Sequence, residues 1–417
     1  MPQNHLPYTP KPNTTTQTGA RMNKTSFLKI LEEPFRLFFI LGTIFCLIGV
    51  LYWPFKVFGW GLFDSYSSAF HSQIQIFGFM LAFIVGFITT AFPKLTQAPC
   101  LDAKEFLSLL GIYTVLILSI FIQESQVTYI TFILTLLYLV SRLVKRFFLR
   151  KRNPPSTFIF LPFAFISAIL GGLLCLLGYS QNSYNLISLG QNLIYNAFIL
   201  FLLLGIGGFL IKSILGWAQP LPESNHENLK KFKTSKKDLK IHFSIALLLF
   251  LTFIFPQRDS SLTHLIRAIL ISFELIWNIK VHKSSISGKL TAKTLQMTLW
   301  FLIAGSWLVV FCPDDYYVDL IHFSLIGGFA ITTFAVATRV IFSHCGHSSF
   351  LNSHYLFFTI SITLMTIALL TRVFVFLTPN TYFEHLGYAG LLWTAGLLIW
   401  SAKILIRIFP DTFRKVS

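Results

Sequence analysis

Charge is scarce in this chain, and negative charge is scarcer still. Only 12% of its 417 residues are Asp, Glu, Lys or Arg, where a soluble domain carries about 25%. Those charges divide into 16 acidic and 33 basic residues, a formal net charge of +17. So little charge excludes an ordinary soluble surface. The five cysteines, Cys46, Cys100, Cys175, Cys312 and Cys345, form no Cys-x-x-Cys pair, which argues against a disulfide framework and a zinc finger. Most lie in apolar runs, where a free thiol behaves as a small hydrophobe. The first 34 residues, rich in Thr, Pro and Asn, lack the apolar centre of a signal peptide and read as a disordered cytoplasmic tail, with Met22 an alternative start. There is no Walker loop, dinucleotide fingerprint or hydrolase elbow. With no zinc finger and no aromatic RNA-binding motif, the positive charge does not point to nucleic acid.

What the chain has in excess is apolar length. Hydrophobic residues make up 54% of it, and Phe alone occurs 46 times. Runs of about 20 apolar residues, enough to cross a hydrocarbon core about 30 Å thick, recur through nearly all of it. They predict an all-α polytopic transmembrane bundle of about twelve spans. In the first half these are Phe35–Phe55, Phe70–Phe92, Phe106–Ile122, Thr128–Leu143, Phe158–Leu177 and Leu186–Ile211. The second half gives Ile241–Phe255, Leu262–Ile279, Leu295–Phe311, Leu320–Phe342, Tyr355–Leu377 and Leu386–Ile408. The membrane domain then occupies residues 35–408, with a 409–417 tail, and a polar connector at 212–240 divides it into candidate halves 35–211 and 241–408. With both termini in the cytoplasm, the inner segments collect Arg36, Arg142, Lys145, Arg146 and the Lys-rich connector, while the outer loops carry only Lys56 and Arg258. That asymmetry is what the positive-inside rule expects.

Ionisable groups inside such spans are costly and each needs a reason. This orientation puts His71, His264, His322 and His385 at outer helix ends and His344, His347 and His354 at the inner face, leaving His5, His226, His242 and His282 to solvent. Imidazole is a common ligand for haem iron and copper, and helix-borne histidines facing other helices are one way a bundle holds a cofactor. The alternative for each is an imidazole reaching the headgroups or bonding a loop carbonyl. In the second span His71, Gln75, Gly78, Ala82 and Gly86 share one face, where small residues admit either a neighbouring helix or a flat macrocycle. In the tenth, His322 and Arg339 are 17 residues apart, roughly 25 Å along a helix. His322 and His344 therefore serve different sites unless Gly327 and Gly328 break the helix. Arg372 and Arg267 fall at the depth of the outer histidines and Arg339 near the inner end, each suited either to a haem propionate or to phosphate and loop carbonyls. Glu274, in mid-span, suits a proton path or a paired neighbour. The run His344-Cys345-Gly346-His347 reads either as a copper site or as a capped helix end.

Three segments carry a family resemblance: EPFRLFFILGTIFCLIGVLYWPF, HSQIQIFGFMLAFIVGFITTAFPKLT and HFSLIGGFAITTFAVATRVIFSHCGH. The chain resembles the NnrS family of bacterial haem- and copper-containing membrane proteins. The resemblance implies twelve spans, the bacterial inner membrane, haem and copper as cofactors, and a role in the response to nitric oxide or nitrosative stress. Residue by residue it carries over to Arg36, His71, His322, Arg339 and His344. Where many members have a second His and a Glu after the first His, this chain has Gln73 and Ile74. The expectation is a multi-pass haem protein with His71 and His322 as axial ligands, Arg372, Arg339 and Arg36 as cofactor-binding residues, and His344, His347 and His385 as further metal ligands. The expected partners are the lipid bilayer and a small gaseous ligand such as nitric oxide. A secondary transporter with Glu274 and the arginines lining its path, and a cytochrome-like redox subunit, are the competing readings. Whether the chain turns over a substrate is left open by the sequence.

Overall fold

The computed structural model describes residues 28–61, 67–217, 235–255, 261–285, 290–311, 316–352 and 355–409. Among them there is no strand, as a chain whose backbone must satisfy itself inside hydrocarbon requires. In chain order the long helices are α1 (Phe35–Val57), α2 (Ser68–Thr96), α3 (Ala103–Ile122), α4 (Ser125–Phe148), α5 (Ser156–Ser180) and α6 (Tyr184–Ile214). They continue with α7 (Lys236–Ile254), α8 (Ser261–Ile279), α9 (Leu290–Phe311), α10 (Tyr317–His344), α11 (Leu356–Val373) and α12 (Tyr382–Lys403). Eleven of the twelve are long and apolar enough to cross a membrane. The exception, α7, opens on Lys236, Lys237, Asp238 and Lys240. It nonetheless runs antiparallel to α8, because His242 meets Glu274 while Thr252 meets Arg267. Its apolar part therefore spans the same depth as its neighbour.

Helix starts follow from capping chemistry. Asp102 and Glu105 form a reciprocal capping box on α3, and Ser67 and Ser235 accept N–H groups at the starts of α2 and α7. α2 stops where Gln97 turns left-handed at φ 53°, and α3 where Gln123 does so at φ 61°. Threonine hydroxyls inside the spans, such as Thr89, Thr90, Thr332 and Thr338, bond the carbonyl four residues back, which removes a donor that lipid could not satisfy. The side chains of Leu118, Ile122, Leu134, Leu177 and Leu398 are exposed, as the outer face of a membrane bundle demands.

Three helices form the centre. In its most apolar stretch α2 is 83% buried, and α6 and α10 are 67% buried, against 50% or less for every other span. They recur at every fourth helix, a period that the division at residues 212–240 does not follow. Each is joined to its predecessor through glycine. A side chain at Gly86 of α2 would run into Phe38 and Phe35 of α1, one at Gly190 of α6 into Gly171 and Cys175 of α5, and one at Gly328 of α10 into Leu302 of α9. The small-residue face that follows His71 is thus packed by α1, with Gly78 against Phe45 and Gln75 donating to the Cys46 carbonyl at 3.2 Å. All three central helices also widen into π turns: Ile74–Met80 in α2, Leu193–Phe198 and Leu203–Gly207 in α6, and Phe323–Ala330 in α10. The last contains Gly327 and Gly328, yet α10 continues unbroken through it.

The end that was expected to be tail is helical from residue 28 to 32, with Ile30 and Leu31 packed on the core. Residues 1–27 of that tail, residues 218–234 of the connector, and residues 410–417 lie outside the described residues. The close approach of α5 and α6 sets a test. A Cβ at Gly190 would sit 2.5 Å from the Gly171 carbonyl oxygen and 2.6 Å from Cys175 Sγ, whereas one at Gly111 meets nothing within 4 Å. Gly190→Val should therefore lower stability by about 3 kcal/mol or more, while Gly111→Ala should be neutral or stabilising by up to about 1 kcal/mol. Thermal unfolding of the detergent-purified proteins reads both.

Candidate functional site

At the His71 end of the bundle, three imidazoles are held the same way. His71 Nδ1 lies 2.9 Å from the Gly49 carbonyl of α1, His322 Nδ1 lies 2.6 Å from the Val318 carbonyl, and His385 Nδ1 lies 2.9 Å from the Thr381 carbonyl. A carbonyl only accepts, so each Nδ1 carries the proton and each Nε2 keeps its lone pair. This is how metal-ligating histidines are usually oriented. His71 and His322, from α2 and α10, lie within range of each other's charge, and both feel Arg372 of α11. Trp53 packs edge-on to His71 at 6.2 Å. Each imidazole sits just before a π turn, which starts at Ile74 in one helix and at Phe323 in the other.

Asp319 organises the surroundings. Buried to 5% exposure, it accepts from Arg372 Nη1 at 2.5 Å and from the Tyr382 hydroxyl at 2.9 Å. The signal in the sequence that could have found it is its position three residues before His322. His385, one turn after Tyr382, flanks this network and packs on Tyr388, and does not act on His71 or His322. Arg267 stands apart from the imidazole pair and bonds Thr252. Gln73 is buried, and its amide nitrogen has no acceptor among the described residues.

The opposite end holds Arg36, Arg339 and His344. Arg36 is fully engaged: Nε and Nη2 donate to Glu33 at 2.9 and 2.6 Å, Nη1 to the Ile408 carbonyl at 3.0 Å and to Cys345 Sγ at 3.3 Å. It ties the entry of α1 to the ends of α10 and α12. His344 Nδ1 lies 2.6 Å from Glu33 Oε1 and 2.9 Å from Lys94 Nζ. Arg339 is half-buried, and its Nη1 has no partner among the described residues. The segment from His344 to His347 is a helix cap: Gly346 is left-handed at φ 79°, and the His347 N–H reaches back to the Phe342 carbonyl. His347 packs on Phe350. Among the described residues no group of three or more His, Cys, Asp or Glu side chains is placed to hold a metal ion.

One reading of the histidines needs correction. His242, expected in solvent, is 2% exposed. Helix α7 begins five residues before the apolar run that marked the span, so His242 falls one turn and a half inside it and faces α8. It lies 3.2 Å from Glu274 Oε1, which also accepts from Asn278 Nδ2 at 2.8 Å, and Asn278 in turn accepts from Lys212 of α6. Glu274 thus belongs to a buried polar chain joining α6, α7 and α8.

With this geometry in place, the chain can be set beside known proteins. A family model described as NnrS protein matches residues 29–409. Among curated proteins none matches.

The Glu33 cluster sets a pH dependence. Burial alone would push the Glu33 carboxyl up, but hydrogen bonds from His344, Lys94 and Arg36 outweigh it and hold the group well below the usual carboxylate range. A carboxyl whose folded pKa lies below its unfolded value, about 4.3, stabilises the fold fully above that unfolded value and loses this contribution as pH falls through the folded one. Glu33→Gln should therefore unfold several degrees below wild type at pH 7, and the gap should narrow progressively as pH falls from about 5 to about 3. Melting curves across that range measure it, and a gap independent of pH would show that the carboxylate charge is irrelevant.

Proposed function

The chain belongs to the NnrS family, and on that footing we propose that it is a haem-binding protein of the bacterial inner membrane, active in the response to nitric oxide, with His71 and His322 as axial ligands of the haem. The observation that supports this is that His71 of α2 and His322 of α10, at the same end of the bundle, each have Nδ1 committed to a backbone carbonyl, leaving Nε2 for a ligand. The donor set fits haem. Arg372 has N–H groups beyond its bond to Asp319 and stands near both imidazoles, as a partner for a propionate should. When bound, haem would supply a redox-active iron held by the His71 and His322 imidazoles.

The side chains then have distinct tasks. The Gly49 and Val318 carbonyls accept from each Nδ1–H and fix ring orientation. Asp319 and Tyr382 hold Arg372 in place and balance its charge. Phe79, Phe83 and Phe334, stacked in the centre at 5.3–5.7 Å between centroids, keep water from the bundle middle. In this reading the end carrying Arg36, Lys94, Arg142, Lys145 and Arg146 faces the cytoplasm and the imidazole pair lies towards the outer leaflet. Copper, implied by the family, has weaker support, because His344 is committed to Glu33 and Lys94 and the segment that follows serves as a cap.

A second reading has its own observation. The buried chain His242–Glu274–Asn278–Lys212 suits a proton or ion path in a secondary transporter. The two readings separate in one measurement. The purified protein should show a Soret band, and His71→Ala and His322→Ala should each weaken it several-fold, while His385→Ala should leave it at wild-type strength. A cofactor-free protein, or bands indifferent to both substitutions, would sink the haem assignment.

A further inference from the structure

A cavity lies on another side of α10, walled by α6, α7, α8 and α9. Its volume is about 40 Å³; its walls are mostly apolar, and the polar groups among them are Asn196, His264, Arg267, Ser306, Tyr317 and Ser324. Among the described residues no Asp or Glu contributes to that lining. At its wall Arg267 is only 8% exposed. Its guanidinium lies over the Phe253 ring at 3.9 Å, Nη2 donates to the Thr252 carbonyl at 2.7 Å and Nε to the Thr252 hydroxyl at 3.4 Å. Both of these acceptors are neutral, and among the described residues no carboxylate lies within ion-pair distance of Arg267. Nη1 donates to no group of the described residues. The nearest acid on its own helix, Glu274, is two turns along, roughly 10 Å away, and is already shared by Asn278 and His242.

A guanidinium stays charged at any ordinary pH. Burying it without a counter-charge is costly, and water in the cavity cannot supply one. An anion can. The fork of N–H groups matches a planar oxyanion in a two-point bond, and the hydroxyl and amide groups around the cavity offer further hydrogen bonds. Size narrows the choice. One water needs about 10–15 Å³ of such volume, so the cavity holds roughly three non-hydrogen atoms. We propose that this cavity binds a small monovalent anion of about that size, of the formate or nitrite class, with Arg267 as its counter-ion. The site is separate from the imidazole pair: α10 lines it with Tyr317, Ile321, Ser324 and Phe329, and neither His71 nor His322 is in the lining. It therefore stands whether or not haem binds.

The test uses the purified full chain in detergent, with sodium formate titrated at constant ionic strength against sodium gluconate, which is too large to enter. The expected result is a saturable rise in unfolding temperature, following one-site linkage, for formate and for nitrite but not for gluconate. Arg267→Gln should abolish the rise. Ser306→Leu, which keeps the charge but fills the cavity, should weaken formate binding at least tenfold. Line broadening of [13C]formate by wild-type protein, reversed by unlabelled nitrite, reads the same site without any substitution. Absence of saturable formate binding to wild type would overturn the proposal. So would a rise unchanged in Ser306→Leu, or a formate effect confined to visible absorption bands, which would assign the anion to the cofactor.

Discussion

Lipid offers no hydrogen-bond partner, and the whole structure answers to that fact. A polar atom placed in a span must find its partner inside the protein. The threonines do so within their own helix. The charged residues do so by bridging helices. Glu105 and Arg146, 4% and 3% exposed, pair between α3 and α4, Asp319 pairs with Arg372 and Tyr382 across α10, α11 and α12, and Glu33 gathers Arg36, Lys94 and His344. The two ends of the bundle are thus held by ion pairs, and the middle by glycine approaches and ring contacts such as the Phe39–Phe83 stack at 4.6 Å and the edge-on Phe334–Trp400 pair at 4.9 Å. Against so consistent a rule the exceptions carry information. Among the described residues Gln73 Nε2, Glu274 Oε2 and Arg339 Nη1 are buried without a partner, and Arg267 bonds only the neutral Thr252; a polar group left open in such a place asks for an explanation, of which a ligand is one.

The recurrence of central helices explains where those openings fall. Three helices, four apart in the chain, carry the most buried faces, and each contains π turns. A π turn adds a residue to the helical circuit, so the side chains before it and after it face different neighbours. His71 and His322 stand just before such turns, and Ser324 and Phe329, which line the Arg267 cavity, lie within one. Asn196 lies in the corresponding turn of α6. The widening turns one face of each central helix towards a polar site while its remaining length stays packed.

The sequence made the architecture legible because hydrophobic length is a one-dimensional property. Apolar runs can be measured without knowing what touches them, and the helix positions followed within a few residues. The seventh span shows where this fails: the apolar run begins at Ile241 but the helix begins at Lys236, because charged residues extend a helix as readily as apolar ones. His242 was misplaced for that reason. Depth placed His71 and His322 at the same end of their spans, but placed His264 and His385 there too, and it was the family resemblance that singled out the pair. What depth cannot give is azimuth. Nothing in the spacing of Arg36 says that its five donors end on Glu33, Cys345, His344 and Ile408, 308 residues or more away for three of them. Nor does it separate Arg372, which reaches the imidazoles, from Arg267, which does not.

The two imidazoles are positioned by different parts of the molecule, and this limits what the site can do. His71 takes its orientation from the Gly49 carbonyl of α1, and α1 is fixed in turn by glycine contacts with α2 and by Gly387 and Gly390 of α12, which admit Phe58 and Pro54. His322 takes its orientation from the first turn of α10, which Asp319 ties to Arg372 and Tyr382. The distance between the two Nε2 atoms is therefore set by how α12 sits against α1 on one side and against the start of α10 on the other. A group held between them reports that packing directly. A shift of α12 would move both supports at once, so a helix that carries neither imidazole controls the separation of the pair.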